Sequence, residues 1–188
     1  MTASTIEIES IGGGLASEVG ARSGASPMSC YQCSKCSSGC PVASRSDLSP
    51  HVLVRMVQMD QRETVLASRF IWECTSCQTC TTRCPQKVDI AAMNDALRAM
   101  SRAAGKVVPE TTIPVFNDAF LASVRNRGRV YELGLMASYK LRTGRFMEDA
   151  DKAPMMLSKG KLPLVGSQVG GRAQRKAMFR RASQGGDV

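Results

Sequence analysis

Apolar residues recur at helical spacing through most of the chain and alternate only briefly, in STIEIES near the N-terminus. The clearest repeat has apolar residues at i, i+3, i+7 and i+10, namely Ile90, Met93, Leu97 and Met100. Asp89 can cap this helix, and Gly105 marks its end. The pattern therefore predicts a mostly α-helical protein.

Further helices are predicted on either side of this repeat. Residues 47–72 are predicted to form two short helices, the first of which starts at Pro50 with Ser49 as its cap. A longer helix is predicted from Pro114 to about Gly128, and VYELGLMASYKLRTG predicts another that stops near its final glycine.

The two ends of the chain show no sustained period. Residues 1–27 are rich in Gly, Ser and Ala and are predicted to form a flexible leader. Residues 148–188 are predicted to form a basic irregular tail, in which RAQRKAMFRRA becomes helical only on a partner. Between the ends, the sequence predicts one domain over 28–104, which holds every cysteine, and a helical docking region over 105–147.

Composition narrows the class of protein. The 188 residues are enough for one core-bearing domain with appended helices. No run reaches the roughly 18 apolar residues of a membrane span, and the first residues lack an apolar signal region. We therefore expect a cytoplasmic protein without a membrane span.

The chain is basic, with 25 Lys or Arg against 16 Asp or Glu and a formal charge of +9. Such a charge can attract nucleic acid, but the basic tail has no interleaved aromatic residues and no folded binding motif. A solvated arm that lies along a partner subunit is the favoured interpretation, and no nucleic-acid partner is predicted.

The eight cysteines form two copies of one pattern, C-x2-C-x2-C-x3-C-P, in CYQCSKCSSGCP and CTSCQTCTTRCP. In proteins with two [4Fe-4S] clusters, the first three cysteines of such a motif bind one cluster and the fourth binds the other. The expected ligands are Cys30, Cys33, Cys36 and Cys84 for the first cluster, and Cys74, Cys77, Cys80 and Cys40 for the second. The basic excess is then expected to compensate part of the clusters' negative charge.

Two other uses of eight cysteines are disfavoured. Structural zinc prefers two C-x2-C pairs that are separated by a longer loop. A framework of disulfides is typical of small secreted proteins, and this chain shows no secretion signal. The motif therefore predicts two [4Fe-4S] clusters.

Several residues near the motifs have more than one interpretation. Lys35 and Arg83 lie inside the two cysteine loops, where they could raise a reduction potential, attract a carboxylate-rich partner or simply be solvated. Trp72 is expected to shield the second cluster from water. His51, the only histidine, is interpreted as a helix-start residue and not as a ligand.

Other catalytic motifs are missing from the sequence. It contains no G-x-G-x-x-G after a strand pattern and no G-x4-G-K-[ST], and no cysteine remains for an open metal site or a nucleophile. The chain is therefore expected to transfer electrons as a non-catalytic part of an oxidoreductase.

The 33 residues between Cys40 and Cys74 are predicted to be helical, whereas compact bacterial ferredoxins have hairpins there. In this the chain resembles the helical ferredoxin domain of succinate dehydrogenase and fumarate reductase iron-sulfur subunits. It resembles most the family of heterodisulfide reductase C subunits, through CYQCSKCSSGCP, IWECTSCQTCTTRCPQKVDI, TIPVFNDAFLASVRNRGRVYELGL and GKLPLV, over roughly residues 28–166.

This resemblance implies a helical ferredoxin domain with two [4Fe-4S] clusters. It also implies two partners in one complex, a flavin/iron-sulfur subunit and a catalytic cysteine-rich subunit that acts on thiols and disulfides. The alternative is a free ferredoxin-like carrier, or the iron-sulfur subunit of another oxidoreductase.

Overall fold

The computed structural model describes residues 14–107, 112–146, 153–160 and 166–184, and every regular element within these ranges is helical. The mostly helical fold predicted from the periodicity is thus confirmed. The chain divides into two compact units, Met1–Thr111 and Thr112–Val188. No helix in the described ranges is both long enough and apolar enough to cross a membrane.

The first unit contains seven α-helices among its described residues. They are Gly14–Ser23 (α1), Lys35–Ser38 (α2), Pro50–Gln58 (α3), Arg62–Leu66 (α4), Phe70–Glu73 (α5), Thr79–Arg83 (α6) and Ile90–Ala103 (α7), with a 3₁₀ turn at Pro27–Ser29. α7 packs against α1, α4, α5 and α6, and α1 also packs against α3. Aliphatic side chains such as Leu15, Leu53, Leu66, Met93 and Leu97 are fully buried between them. The cysteine loops therefore lie against an ordinary hydrophobic core.

α1 differs from the flexible leader that the sequence predicts for residues 1–27. Leu15 and Val19, one helical turn apart, are fully buried, and the Leu15 N–H donates to Asp60 Oδ1 at 2.9 Å. Glu18 pairs with Arg62 at 2.5 Å. Long-range contacts thus hold a helix whose Gly- and Ser-rich sequence predicts none. Residues 1–13 of the predicted leader lie outside the described residues.

The helix ends follow the predicted signals, with one exception. Asp89 caps α7, since its Oδ1 accepts from the Ala92 N–H at 3.0 Å. Gly105 follows α7 in the left-handed conformation, with φ of 63°. Ser49 precedes α3 as predicted, but its hydroxyl lies 3.0 Å from His51 Nδ1 and bonds no backbone N–H of the helix.

Asp47 fixes the start of α5, the segment that leads into the second cysteine motif. Its carboxylate accepts from the backbone N–H groups of Arg69 at 2.8 Å and Phe70 at 2.9 Å, and from the Ser68 hydroxyl at 3.0 Å. Burial raises the pKa of Asp47, but these donors outweigh it and the net pKa is lowered. The charged form is therefore the stabilising one.

Replacing Asp47 by Asn should lower the free energy of unfolding by about 1 kcal/mol, because hydrogen bonds to a charged acceptor are lost and water partly screens this exposed carboxylate. The contribution is complete above the unfolded-state pKa of about 3.9 and is lost as pH falls through the lower folded-state value. Urea unfolding followed by circular dichroism between pH 7 and pH 3 measures both effects. Asp95→Asn is the control, because Asp95 is exposed and its pair with Arg98 is a surface ion pair one helical turn apart.

The second unit contains Ile113–Arg127 (α8), Glu132–Thr143 (α9), Ala153–Ser158 (α10) and Arg172–Gln184 (α11). α8 packs against both α9 and α11. The helices α10 and α11 differ from the irregular tail predicted for residues 148–188. The Val169 N–H donates to the Arg127 carbonyl at 2.9 Å, so the segment before α11 bonds the end of α8. Residues 147–152, 161–165 and 185–188 lie outside the described residues.

The charge of the chain is unevenly divided between the units. Residues 1–111 carry 11 Lys or Arg and 10 Asp or Glu, a formal charge of 11 − 10 = +1. Residues 112–188 carry 14 and 6, a formal charge of 14 − 6 = +8. The basic excess thus belongs to the unit that contains no cysteine, and its compensation of cluster charge stays a prediction.

Candidate metal centre

The two cysteine loops share one backbone conformation. In each, the second and fourth residues after the first cysteine have positive φ: Gln32 (64°), Ser34 (62°), Ser76 (52°) and Gln78 (61°). The short helices α2 and α6 begin at the next position in each loop. Since left-handed residues other than glycine are uncommon, the repetition shows that the sequence duplication is also a duplication of structure.

Each loop is held by a polar side chain from a helix of the core. Gln58 Nε2 donates to the carbonyls of Pro27 at 2.9 Å and Cys30 at 3.0 Å. Arg98 donates in the same way, at 2.5 Å each, to the carbonyls of Ile71 and Cys74. Gln58 and Arg98 are both the ninth residue of their helix, α3 and α7. Both bond the first cysteine of a motif and the residue three positions before it.

A hydroxyl group after the third cysteine links each loop to the helix that follows. Ser37 Oγ accepts from the His51 N–H at 3.1 Å and lies 2.7 Å from His51 Nδ1. The Thr81 hydroxyl donates to Asp89 Oδ1 at 2.9 Å. His51 thus lies in the first turn of α3, as interpreted from the sequence, and contacts the loop through Ser37.

The ligands expected for the second cluster surround one cavity. Cys74, Cys77 and Cys80 of the second motif and Cys40 of the first line a small cavity of about 20 Å³. Phe70, Ile90 and other apolar residues close its inner side. Within the described ranges, no three Cys, His, Asp or Glu residues converge on a single-ion site. Four thiols around such a cavity are the donor set that a [4Fe-4S] cluster requires.

The ligands expected for the first cluster also mix the two motifs. Partial loss of hydration raises the pKa of Tyr31, and the nearby thiols of Cys33, Cys84 and Cys30 raise it further. Cys84 of the second motif thus acts on the same tyrosine as two cysteines of the first. The assignment of individual ligands stays a prediction, and α2 of the first loop packs against α6 of the second.

The two loops cross where α2 packs against α6. The Arg83 guanidinium lies directly over Gly39, and a Cβ at that position would collide with it. A larger residue at position 39 would therefore displace the Arg83 guanidinium from this place. Lys35 and Arg83 are both exposed.

The thiols differ in depth. Burial raises the pKa of Cys36 and Cys80, the third cysteine of each motif. The Thr79 hydroxyl and backbone N–H lower the pKa of the exposed Cys77. The deep thiols are thus held in the neutral form until iron binds, so that cluster insertion must release their protons.

Hydrogen-bond donors approach the sulfur atoms of both loops. The Ser76 N–H donates to Cys74 Sγ at 3.5 Å, and the Val88 N–H to Cys84 Sγ at 3.3 Å. Gln32 adds a side-chain donor 3.4 Å from Cys30 Sγ. Hydrogen bonds to ligand sulfur raise the reduction potential of an iron-sulfur cluster.

The sequence analysis did not predict Asn94 at the cavity of the second cluster, and it predicted Trp72 there, which the structure does not show. Asn94, 1% exposed, lines the cavity and donates to the Ile71 carbonyl at 3.1 Å, while its Oδ1 finds no donor among the described residues. Trp72, expected to shield the cluster, does not line the cavity. It is buried, with the Arg102 guanidinium 5.3 Å from its ring centre, and Phe70 does the shielding. The sequence contains one signal for Asn94, since it is a polar residue within the apolar stripe of α7.

The family comparison matches the part of the chain that holds both loops. Residues 27–88 match the 4Fe-4S dicluster domain family. The match begins just before the first motif and ends just after the second, so that it contains all eight cysteines.

Curated relatives match over a similar length of chain. The iron-sulfur C subunit of the CoB–CoM heterodisulfide reductase of Methanopyrus kandleri is 36% identical over 81 residues, 43% of this chain and 41% of the relative. The C subunit of the ferredoxin:CoB–CoM heterodisulfide reductase of Methanosarcina acetivorans is 38% identical over 72 residues, 38% of this chain and 29% of the relative. The matched part thus spans less than half the length of these relatives. Residues 27–88 thus match a 4Fe-4S dicluster domain, and over the matched part the chain is similar to the C subunits of heterodisulfide reductases.

Proposed function

We propose that this chain is the electron-transfer subunit of a heterodisulfide-reductase-like complex. It carries electrons between a flavin/iron-sulfur subunit and a catalytic, cysteine-rich subunit that acts on a thiol/disulfide pair. Two [4Fe-4S] clusters supply the redox chemistry, with the crossed ligand sets predicted from the sequence. The cytoplasmic location stays a prediction.

The observation that carries the proposal is the placement of the eight cysteines. Four of them surround one cavity, and α2 of the loop that carries Cys30 and Cys33 packs against α6, which ends just before Cys84. With Cys36 in the first set, every thiol of the chain is used as a ligand. No cysteine is then left to attack a disulfide, so the chemistry on sulfur belongs to a partner.

The second unit supplies a docking surface within the region predicted for it, residues 105–147. α8 and α9 form an open groove of about 880 Å³ lined by Ile113, Phe116, Leu135, Met136, Tyr139, Lys140 and Arg145. Phe116 and Tyr139 meet edge to face, with ring centres 5.9 Å apart, and Phe116 is 43% exposed. An apolar floor with a basic rim fits a partner helix that has an apolar face and acidic flanks.

A free ferredoxin-like carrier is the alternative. A carrier needs the first unit only, whereas the second unit holds a formal charge of +8 and the groove. Gel filtration of the native protein separates the two, because a carrier elutes alone and a subunit elutes with its complex.

The isolated chain, loaded with iron, should be reduced by a strong donor and should cleave no disulfide. Adding a catalytic subunit with its own cysteine-rich cluster site should restore disulfide turnover, because the proposed chain supplies electrons and not a nucleophile. Visible absorbance follows the reduction, and thiol release follows turnover. Disulfide cleavage by the isolated chain would contradict the electron-transfer role.

The same assay tests the groove. Phe116→Glu places a carboxylate among the apolar residues and should reduce turnover with the catalytic subunit at least tenfold while leaving the cluster absorbance unchanged. Leu141→Glu is the matched control, since Leu141 is 71% exposed and does not line the groove. Equal losses from both variants would show that added charge, and not the groove, is responsible.

A further inference from the structure

The duplication allows the exposed parts of the two cysteine loops to be compared position by position. In the first loop, Tyr31 and Lys35 stand where the second loop has Thr75 and Thr79. Tyr31 is 57% exposed, and Met28, two residues before the first cysteine, is 49% exposed. Among the large apolar side chains of residues 14–107, these are the two that stand out into solvent, and both flank Cys30.

The charged residues near the first cysteine loop also differ from those near the second. Residues 28–40 contain Lys35 and no Asp or Glu, and the turn after Cys84 contains Lys87 and again no acid until Asp89. Both lysines are exposed. The positions equivalent to Lys35 and Lys87 are the uncharged Thr79 and Ala43, and the first charged residue after Cys40 is the exposed Arg45. Arg83 lies over Gly39, where the two loops cross, so its charge is not assigned to either cluster.

These residues share one face because the motifs cross. α2, which begins at Lys35, packs against α6, and the Lys87 N–H donates to the carbonyl of Cys84, the residue after α6, at 3.1 Å. Lys35 is two residues after Cys33 and immediately before Cys36. Exposed Met and Tyr side chains with basic residues at their edge are the composition of a protein-binding surface.

We propose that Met28, Tyr31, Lys35 and Lys87 form a docking face over the first cluster for an electron-transfer protein with an acidic surface. This inference rests on the proposed function and names the chemistry of one of its partners. Unlike charges speed the encounter and orient the partner, while Met28 and Tyr31 supply apolar area. The second loop lacks both features, so this partner meets the chain at the first cluster.

A plant-type ferredoxin, an acidic protein, is the probe, and its dissociation constant for the iron-loaded full chain is measured by calorimetry at low salt. The double variant Lys35→Gln/Lys87→Gln should weaken binding about tenfold, and 0.5 M salt should remove the difference. Tyr31→Thr, which copies the second loop, should weaken binding at both salt concentrations. Arg45→Gln, which removes one exposed positive charge after Cys40 on the side of the second cluster, is the control and should change binding less than twofold.

Carbodiimide cross-linking to the same probe locates the contact. We expect cross-links at Lys35 and Lys87. The absence of cross-links at both lysines, or equal weakening by Arg45→Gln and by the double variant, overturns the inference. Iron content is measured for every sample: a wild-type chain that takes up no iron overturns the proposed function, whereas an iron-loaded chain that fails the binding test overturns only the docking face.

Discussion

Cys84→Ala should destroy the cluster whose other ligands come from the first motif, although Cys84 belongs to the second. The chain should then retain about four irons in place of about eight, because the second cluster keeps Cys74, Cys77, Cys80 and Cys40. The structural reason is that α2 of the first loop packs against α6, which ends just before Cys84, whereas Cys40 lines the cavity of the second motif.

The decisive comparison uses cysteines whose cluster is not in question. Cys33→Ala removes the first cluster and Cys77→Ala the second, and both side chains are exposed, so packing changes little. The electron paramagnetic resonance signal that remains in Cys84→Ala should match that of Cys33→Ala, and the signal of Cys40→Ala should match that of Cys77→Ala. The opposite pairing would show that each motif completes its own cluster.

Sequence reasoning predicted those helices whose signals are local. Pro50, Asp89 and Pro114 each stand at or beside a helix start, and Gly105, Gly128 and Gly144 each follow a helix end with positive φ. These residues act through their own backbone or a neighbour three positions away, so a single sequence reveals them. The cysteine spacing is local in the same sense, and it predicted the family that the comparisons found.

The rest depends on long-range contacts. α1 forms because α3 and α7 cover Leu15 and Val19. The sequence of residues 14–23 does not indicate that these helices will pack against it. Gln58 and Arg98 bond carbonyl groups 28 and 24 residues away, at Cys30 and Cys74. Their shared position in α3 and α7 becomes visible only once the two loops are known to be equivalent.

The polar side chains that hold the loops explain how rigid core and exposed ligands coexist. Gln58 and Arg98 extend from helices whose other faces are buried, and they bond carbonyl groups, which leaves the sulfur atoms free for iron. The first cysteine of each motif is therefore fixed by the core, while Cys33 and Cys77 at the outer side of each loop are exposed. The clusters are thus expected near the surface, where a partner can approach.

Removing iron should melt the two cysteine loops and leave the helical core of the first unit folded. Each loop contains two left-handed residues other than glycine, at Gln32 and Ser34 and at Ser76 and Gln78. At about 1 kcal/mol or more each, the four cost roughly 4 kcal/mol, which corresponds to about a thousandfold in an equilibrium constant. α6 buries no side chain, and α2 buries only Cys36, so little in the loops themselves offsets this strain.

In the helical core of the first unit, unlike in the loops, many side chains are buried. α1, α3, α4, α5 and α7 bury aliphatic and aromatic side chains against one another, including Leu15, Leu53, Leu66, Phe70 and Leu97. Apart from Phe70, none of these side chains lines the cluster cavity, and a fully buried side chain of this size contributes about 1.5–3 kcal/mol. Metal binding is therefore coupled to the folding of the loops and not of the whole unit.

Hydrogen exchange followed by mass spectrometry separates these outcomes. After removal of iron by a chelator, peptides from 30–40 and 74–84 should lose essentially all protection, while peptides from α3 and α7 keep theirs. Peptides from α8 and α9 are the internal control, because that unit contains no cysteine. Loss of protection throughout α3 and α7 would show that the clusters hold the whole unit together, and unchanged protection of the loops would show that they are folded before iron arrives.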